Sequence, residues 1–201
     1  MKVHKALNIN GVVIYRQKIQ NPHEVIEAIE WVQKVSSTRK WKPAMVTHAD
    51  GSQSTSEVRS NEGLFLPPAN HTSNDTDESA FVDITKIIDS HFYECIADYT
   101  ARFAGTIGSY SSNNGYNVLK YHQGQEYIPH TDDSPNTPRR LSGLAYLNDN
   151  YEGGELNFTK LNLKYYPMAG DIVLFPSGMP YEHAAMPVTE GIKYAIVGWW
   201  S

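Results

Sequence analysis

The chain has 201 residues, 40% apolar and 19% charged, with a net charge of −5. This is enough sequence for one domain with a full core, and the balance gives no general attraction to a phosphate backbone. Cys95 is the only cysteine, which excludes an intrachain disulfide; Met1-Lys-Val-His-Lys-Ala-Leu7 lacks the apolar run of a signal peptide and no stretch approaches a membrane span, so a reducing cytoplasm is the expected address.

Gly11-Val-Val-Ile-Tyr15 reads as the first strand. A helix is expected from Pro22 to Val35, with Asn21 as N-cap and Pro22 at the first helical position. Val25, Ile26, Ile29, Val32 and Val35 form its buried stripe, and His23 falls on the outer face. Residues 36–78 are polar and broken by Gly and Pro, and a connection this long in a compact domain is functional or disordered. Part of it, around residues 48–75, is expected to cover the site. His48, His71, Asp75 and Asp77 are scattered there and predict no second metal site. A long helix then runs from Ser79 to Phe103, capped by Ser79 or Asp77 and ended by Gly105. Phe81, Ile84, Ile87, Ile88, Cys95, Ile96, Tyr99 and Phe103 share one face, where Cys95 is an inert core residue.

From Tyr116 onward short strands alternate with turns: Tyr116–Tyr121, Glu126–Thr131, Arg139–Leu147, Gly154–Phe158, Asp171–Phe175, His183–Ala185 and Lys193–Trp200. The predicted fold class is α+β, mainly β: a double-stranded β-helix (jelly roll) barrel with N-terminal helices packed on one sheet. One domain, 1–201, is expected, with helical support and a substrate loop in 1–110 and the jelly-roll core in 111–201.

Two imidazoles and one carboxylate carry the chemistry. His130 and Asp132 stand two apart, so in a strand they share a face; His183 follows in Tyr181-Glu-His183. Such a set can hold one face of a ferrous ion and leave other positions open. Alone, a His-x-Asp pair is weak evidence, since a polar surface turn has the same spelling. Lys193 lies in the apolar run Gly191–Trp200, and a buried ammonium needs an anion. No neighbour in sequence offers one, so a bound carboxylate is the candidate; a strand-edge lysine facing water is the alternative. Gly170-Asp171 reads as a turn into a strand rather than a ligand. Ile128, Leu144, Ile172, Leu174 and Ile196 are the expected apolar lining.

The order of these pieces resembles the iron(II)- and 2-oxoglutarate-dependent dioxygenases, most nearly their prolyl 4-hydroxylase-like branch. The resemblance rests on Tyr121-His-Gln-Gly-Gln-Glu-Tyr-Ile-Pro-His-Thr-Asp132, Arg139-Arg-Leu-Ser-Gly-Leu-Ala-Tyr-Leu147, Gly153-Gly-Glu155, Pro167-Met-Ala-Gly-Asp-Ile-Val-Leu-Phe175, His183 and Lys193, with Val58-Arg-Ser60 and Gly63-Leu-Phe-Leu66 upstream. It implies Fe(II) on His130, Asp132 and His183. It also implies 2-oxoglutarate held by Lys193 with a hydrogen bond from Tyr121, and substrate contacts at Tyr127, Arg139 and Trp199. Whether Arg139 or Arg140 faces the cleft stays open by one register. The implied reaction uses O2, converts 2-oxoglutarate to succinate and CO2, and hydroxylates an aliphatic C–H of a peptide, protein or amino acid, with proline the first candidate. L-ascorbate is an optional accessory. Two other readings share the scaffold: a nucleic-acid demethylase of the AlkB type, and a non-catalytic metal-binding jelly roll. The first would place arginines where this chain has Lys193 and Trp199 and needs a basic groove, whereas the largest basic patch in the sequence, Arg139-Arg140, is small. Membrane and nucleic-acid partners are therefore not expected.

Overall fold

The computed structural model describes residues 6–37, 39–47, 53–54, 59–72, 76–104, 110, 113, 115–133, 135 and 138–201. The expectations placed on His48, Val58, Asp75, Gly105 and the Asp77 side chain lie outside the described residues.

The chain opens with an antiparallel hairpin, β1 (Ala6–Ile9) and β2 (Val12–Tyr15), followed by α1 (Pro22–Val35). Short strands β3 (Lys42–Pro43), β4 (Val46–Thr47), β5 (Gln53–Ser54) and β6 (Glu62–Leu66) precede α2 (Thr76–Arg102). Then come β7 (Tyr116–Tyr121), β8 (Tyr127–His130), β9 (Leu141–Tyr146), β10 (Glu152–Gly153), β11 (Leu156–Phe158) and β12 (Leu163–Tyr165). The chain ends with β13 (Ile172–Pro176), β14 (His183–Ala185), β15 (Val188–Glu190) and β16 (Lys193–Trp200). An eight-stranded sheet runs β1-β2-β13-β9-β16-β7-β6-β3 and faces a four-stranded sheet, β12-β11-β14-β8. This is the jelly roll, but among the described residues no ladder closes the sheets into the expected barrel.

The large sheet is covered on both faces, so its central strands are near-continuous apolar runs in which the pleat assigns alternate residues to two cores. Val12, Ile14, Leu144, Val173, Ala195 and Val197 face the small sheet. Val13, Tyr15, Leu141, Ile172, Leu174, Ile196 and Trp200 face the helices. Lys193 falls in register with Ala195 and Val197, which places it between the sheets. Of the expected apolar lining, only Leu144 belongs there: Ile172, Leu174 and Ile196 take the other face, and Ile128 is exposed.

The helices form as the periodicity predicts, with differences at their edges. Asn21 makes no side-chain cap bond; the Glu24 N–H instead donates to the Asn21 carbonyl, while Pro22 at the helix start removes one donor that a cap would have satisfied. Val35 is exposed at the helix end. In α2 the buried stripe is Phe81, Ile84, Ile88, Phe92, Cys95, Ile96 and Tyr99; Ile87, about 100° of helix from Ile88, faces solvent. That helix begins before Ser79, so Ser79 lies inside it rather than capping it. Residues 1–110 supply more than helices and a loop, since β1, β2, β3 and β6 all join the large sheet. Among the described residues no helix is long and apolar enough to cross a membrane.

Candidate metal centre

His130 ends β8 and His183 begins β14, and the antiparallel ladder sets them directly opposite one another. The strand stops at His130, so Asp132 does not share its pleat, contrary to the strand reading of that pair. Asp132 is carried instead by a bend whose Asp132 and Asp133 N–H groups both donate to the Ser177 carbonyl, at 3.0 and 3.1 Å. The Ser142 hydroxyl, buried on β9, donates to Asp132 Oδ2 at 2.6 Å and lies 2.8 Å from Ser177 Oγ. The result is a cluster in which His130 Nε2 is 3.6 Å and His183 Nε2 3.8 Å from the Asp132 carboxylate, all three ligand atoms lying within 4.8 Å of one another.

The second ring nitrogens fix the tautomers. His130 Nδ1 lies 2.9 Å from the Ile128 carbonyl and His183 Nδ1 3.1 Å from the Tyr181 carbonyl. Each Nδ1–H donates outward and leaves the Nε2 lone pair facing the cluster, as a metal-binding imidazole requires. Burial, and then the neighbouring His130, pushes His183 down to about 4 against the opposing pull of Asp132, so its ring is neutral. Burial alone would raise Asp132, but His183, His130 and the Ser142 hydroxyl outweigh it and hold the carboxyl well below the usual range. A neutral His183 and an ionised Asp132 are donor forms a divalent ion needs. The three ligand atoms, within 4.8 Å of one another, are close enough for one divalent ion to gather them.

Lys193 is 2% exposed on β16. Its ammonium donates to the Gly154 carbonyl and is surrounded by the rings of Tyr121, Tyr146 and Tyr151, at 5.3, 5.3 and 5.9 Å. Among the described residues no carboxylate pairs with it, and burial pushes it down to about 7 with only partial relief from Glu155. The Tyr151 hydroxyl is also buried without a hydrogen-bond partner. A small diacid reaching from the triad to Lys193 would satisfy this pocket, so the residues present fit both Fe(II) and 2-oxoglutarate. Gly154, with φ of +66°, allows the close fit: a Cβ there would lie 3.1 Å from the Lys193 chain and 3.0 Å from Tyr151. Tyr121 lies opposite Lys193 in the β7–β16 ladder, its hydroxyl pushed up to about 12 by burial.

A cavity of about 830 Å³ brings together all eight residues expected at the site: His130, Asp132, His183, Tyr121, Lys193, Tyr127, Arg139 and Trp199. Its apolar walls include Leu119, Leu144, Leu156, Ala195 and Val197. Tyr127 stacks on His130 at 3.6 Å, and the Arg139 guanidinium lies over Trp199 at 3.7 Å and donates to the Asp132 carbonyl. Arg140 packs over Tyr110 instead, which settles the register between the two arginines. Asp171 is no ligand: it is fully buried and accepts from Gln17 N–H, Met168 N–H and the Tyr165 hydroxyl. His71 lies 3.6 Å from Glu78 and joins no metal cluster among the described residues.

Sequence reasoning gave no role to Ser142, nor to Arg59, which stacks on Tyr127 at 4.8 Å beside the start of β8. It also underestimated the local charge. Arg39, Lys40, Lys42 and Arg59 join Arg139 around the cavity, although they are far from it in the chain. Ser142 breaks an otherwise apolar strand, a signal that could have been read as a buried polar group with a job.

Residues 116–201 match the family described as "2OG-Fe(II) oxygenase superfamily". The chain is similar to prolyl 3-hydroxylase 3 of Homo sapiens, 40% identical over 68 residues that make up 31% of this chain and 9% of the human protein. It is also similar to probable prolyl 4-hydroxylase 3 of Arabidopsis thaliana, 26% identical over 86% of this chain and 64% of that protein. The chain thus spans less than two thirds of the length of these relatives. A solved prolyl hydroxylase from Trichoplax adhaerens, in complex with a hypoxia inducible factor oxygen degradation domain peptide fragment, shares the fold: TM-score 0.70 and 20% identity, covering 96% of this chain and 84% of that one.

Proposed function

We propose that the protein is an Fe(II)- and 2-oxoglutarate-dependent dioxygenase that hydroxylates an aliphatic C–H, prolyl (4-)hydroxylase-like, on a peptide or amino acid. One observation carries this: His130, Asp132 and His183 converge beside a buried lysine with no carboxylate partner among the described residues. When bound, iron with 2-oxoglutarate supplies the oxidising chemistry, in which O2 is consumed, 2-oxoglutarate yields succinate and CO2, and one oxygen atom ends on the substrate carbon.

The protein's part is binding, orientation and exclusion of water. His130 and His183 would hold the metal through Nε2 and Asp132 through its carboxylate. Ser142 and the two backbone carbonyls at the Nδ1 atoms keep that set aimed. Lys193 would pair with the distal carboxylate of 2-oxoglutarate, and Tyr121 would donate a hydrogen bond to it. Tyr127, Arg139 and Trp199 flank the substrate carbon, and the apolar wall beyond keeps water from the reacting face. The reading treats 1–201 as one catalytic domain in a reducing cytoplasm, where the buried Cys95 thiol, pushed up to about 12 by burial, stays protonated.

The test is incubation with Fe(II), 2-oxoglutarate, ascorbate and proline-rich peptides, followed by succinate assay and mass spectrometry. Succinate release with one oxygen atom added to a peptide or amino acid is expected, and both should vanish in His183→Ala. Full turnover in His183→Ala, or no oxygenated product from any peptide or amino acid, overturns it. The nucleic-acid demethylase reading loses its footing, because Lys193 and Trp199 line the cavity where that reading needs arginines.

A further inference from the structure

We propose that the cleft selects an acidic peptide, gripping carboxylates beside the reacting residue between Arg59 and Arg139. This rests on the hydroxylase reading and adds the chemistry of its substrate.

The chain carries a net charge of −5, yet the cavity shows the opposite sign. Arg39, Lys40, Lys42, Arg59, Arg139 and Lys193 line it, against a single carboxylate among the described residues, Asp132. The cofactor set does not use up this excess. A ferrous ion and Lys193 bring three positive charges, and Asp132 with the two carboxylates of 2-oxoglutarate brings three negative ones, so that group is neutral by itself. Arg39 is answered by Glu78, at 2.7 Å through Nη2, and Lys40 donates to the Gln33 and Lys34 carbonyls. Among the described residues no carboxylate forms an ion pair with Lys42 or Arg59; Arg139 has none within ion-pair distance of its guanidinium, although Asp132 and Asp133 lie near it and Asp133 accepts its backbone N–H.

The geometry of the two arginines suits carboxylate capture. Arg59 lies over the Tyr127 ring and Arg139 over the Trp199 ring, at 4.8 and 3.7 Å. Stacking covers a guanidinium's face and leaves its N–H edge for in-plane, two-pronged bonding to a carboxylate. Arg59 Nε donates to Asn61 Oδ1 and one Arg139 nitrogen to the Asp132 carbonyl, which sets each fork while leaving other N–H groups available. Tyr127 is itself stacked on His130, so an anion held at Arg59 is within one residue's reach of the triad. A cleft of one sign walled by apolar side chains also concentrates its field on an approaching anion.

The test uses the full chain loaded with Mn2+ and 2-oxoglutarate, and fluorescence anisotropy with three labelled peptides. These share one central proline and differ only in having Glu, Gln or Lys at the flanking positions. The Glu peptide should bind about tenfold or more tighter than the Gln peptide, and the Lys peptide weakest. Arg59→Gln and Arg139→Gln should each cut the Glu-to-Gln affinity ratio about tenfold, whereas Lys164→Gln on the exposed edge of the small sheet should leave it unchanged. The ratio is taken within each variant, so partial misfolding does not distort it. Equal affinity for the Glu and Gln peptides overturns the proposal. So does a single-stranded oligonucleotide that outcompetes the Glu peptide with the same arginine dependence. Turnover run in parallel with Fe(II) separates the two readings. If Gln and Glu peptides are hydroxylated equally well, the acidic preference fails and the hydroxylase stands. If Glu peptides bind through the arginines but gain no oxygen, the hydroxylase fails and the acidic preference stands.

Discussion

Ser142 decides where Asp132 sits. Among the described residues outside the triad, its hydroxyl is the one side chain hydrogen-bonded to the carboxylate, so Ser142→Ala should keep the fold and weaken metal affinity about 10- to 100-fold. A Co2+ titration followed by visible absorbance measures this, and an unchanged affinity would show that the bend alone places Asp132. Lys193 makes a different prediction. Its folded value, about 7, is depressed from 10.5, so between those values the unfolded chain binds the extra proton and the ligand-free protein gains stability as pH rises. Below about pH 7 the cost of the buried charge is present in full. The groups facing it, Tyr121, Tyr146 and Tyr151 with Glu155 further off, do not cancel that cost. Denaturant titrations between about pH 7 and 10 should show stability rising by more than ~1.4 kcal/mol, the equivalent of one pKa unit. Lys193→Met should flatten the slope and abolish 2-oxoglutarate binding. Equal slopes in the two proteins would sink the idea.

At the scale of elements, Phe92 packs α2 onto the large sheet, alongside hydrogen bonds to the helix from Tyr15 and Tyr116. Phe92 lies 5.3 Å from both Tyr116 and Trp200, stacked on the first and tilted on the second. Phe92→Ala should cost about 3–5 kcal/mol in equilibrium unfolding; a loss under ~1 kcal/mol would mean that the helix is held elsewhere. Elements of this kind were legible in the chain. The α1 limits, Tyr116–Tyr121, His183–Ala185 and Lys193–Trp200 follow from period and turn residues alone. What escaped were β1, β3, β4, β5, β6, β10, β12 and β15, short strands that exist because a neighbour offers a ladder. The metal cluster could be read because residue type and order encode it. The basic rim could not, because Arg39, Arg59 and Arg139 meet only through tertiary contacts. The inner and outer faces of β13 were confused for a related reason: a strand covered on both sides gives no polar mark to say which face is which.

The whole molecule is two cores sharing one sheet, a helix-backed core for stability and an inter-sheet core opening into the cavity. Ligands binding only the folded state must raise its stability by mass action. Mn2+ with 2-oxoglutarate at about a hundred times their dissociation constants should add roughly 2.7 kcal/mol per site, read as a rise in Tm. Succinate in place of 2-oxoglutarate should give less, and no shift with either would argue that the triad and Lys193 do not hold them. The opposed placement of His130 and His183 carries one more consequence. Because a single rung of the ladder joins the two rings, the chain that connects them can grow or shrink at its bends without parting them. Removing one residue from within either strand would turn a ring outward and leave a sound shell with nothing at its centre. Variation in this architecture is thus channelled into the connecting segments, where new recognition can be written while the rung stays fixed.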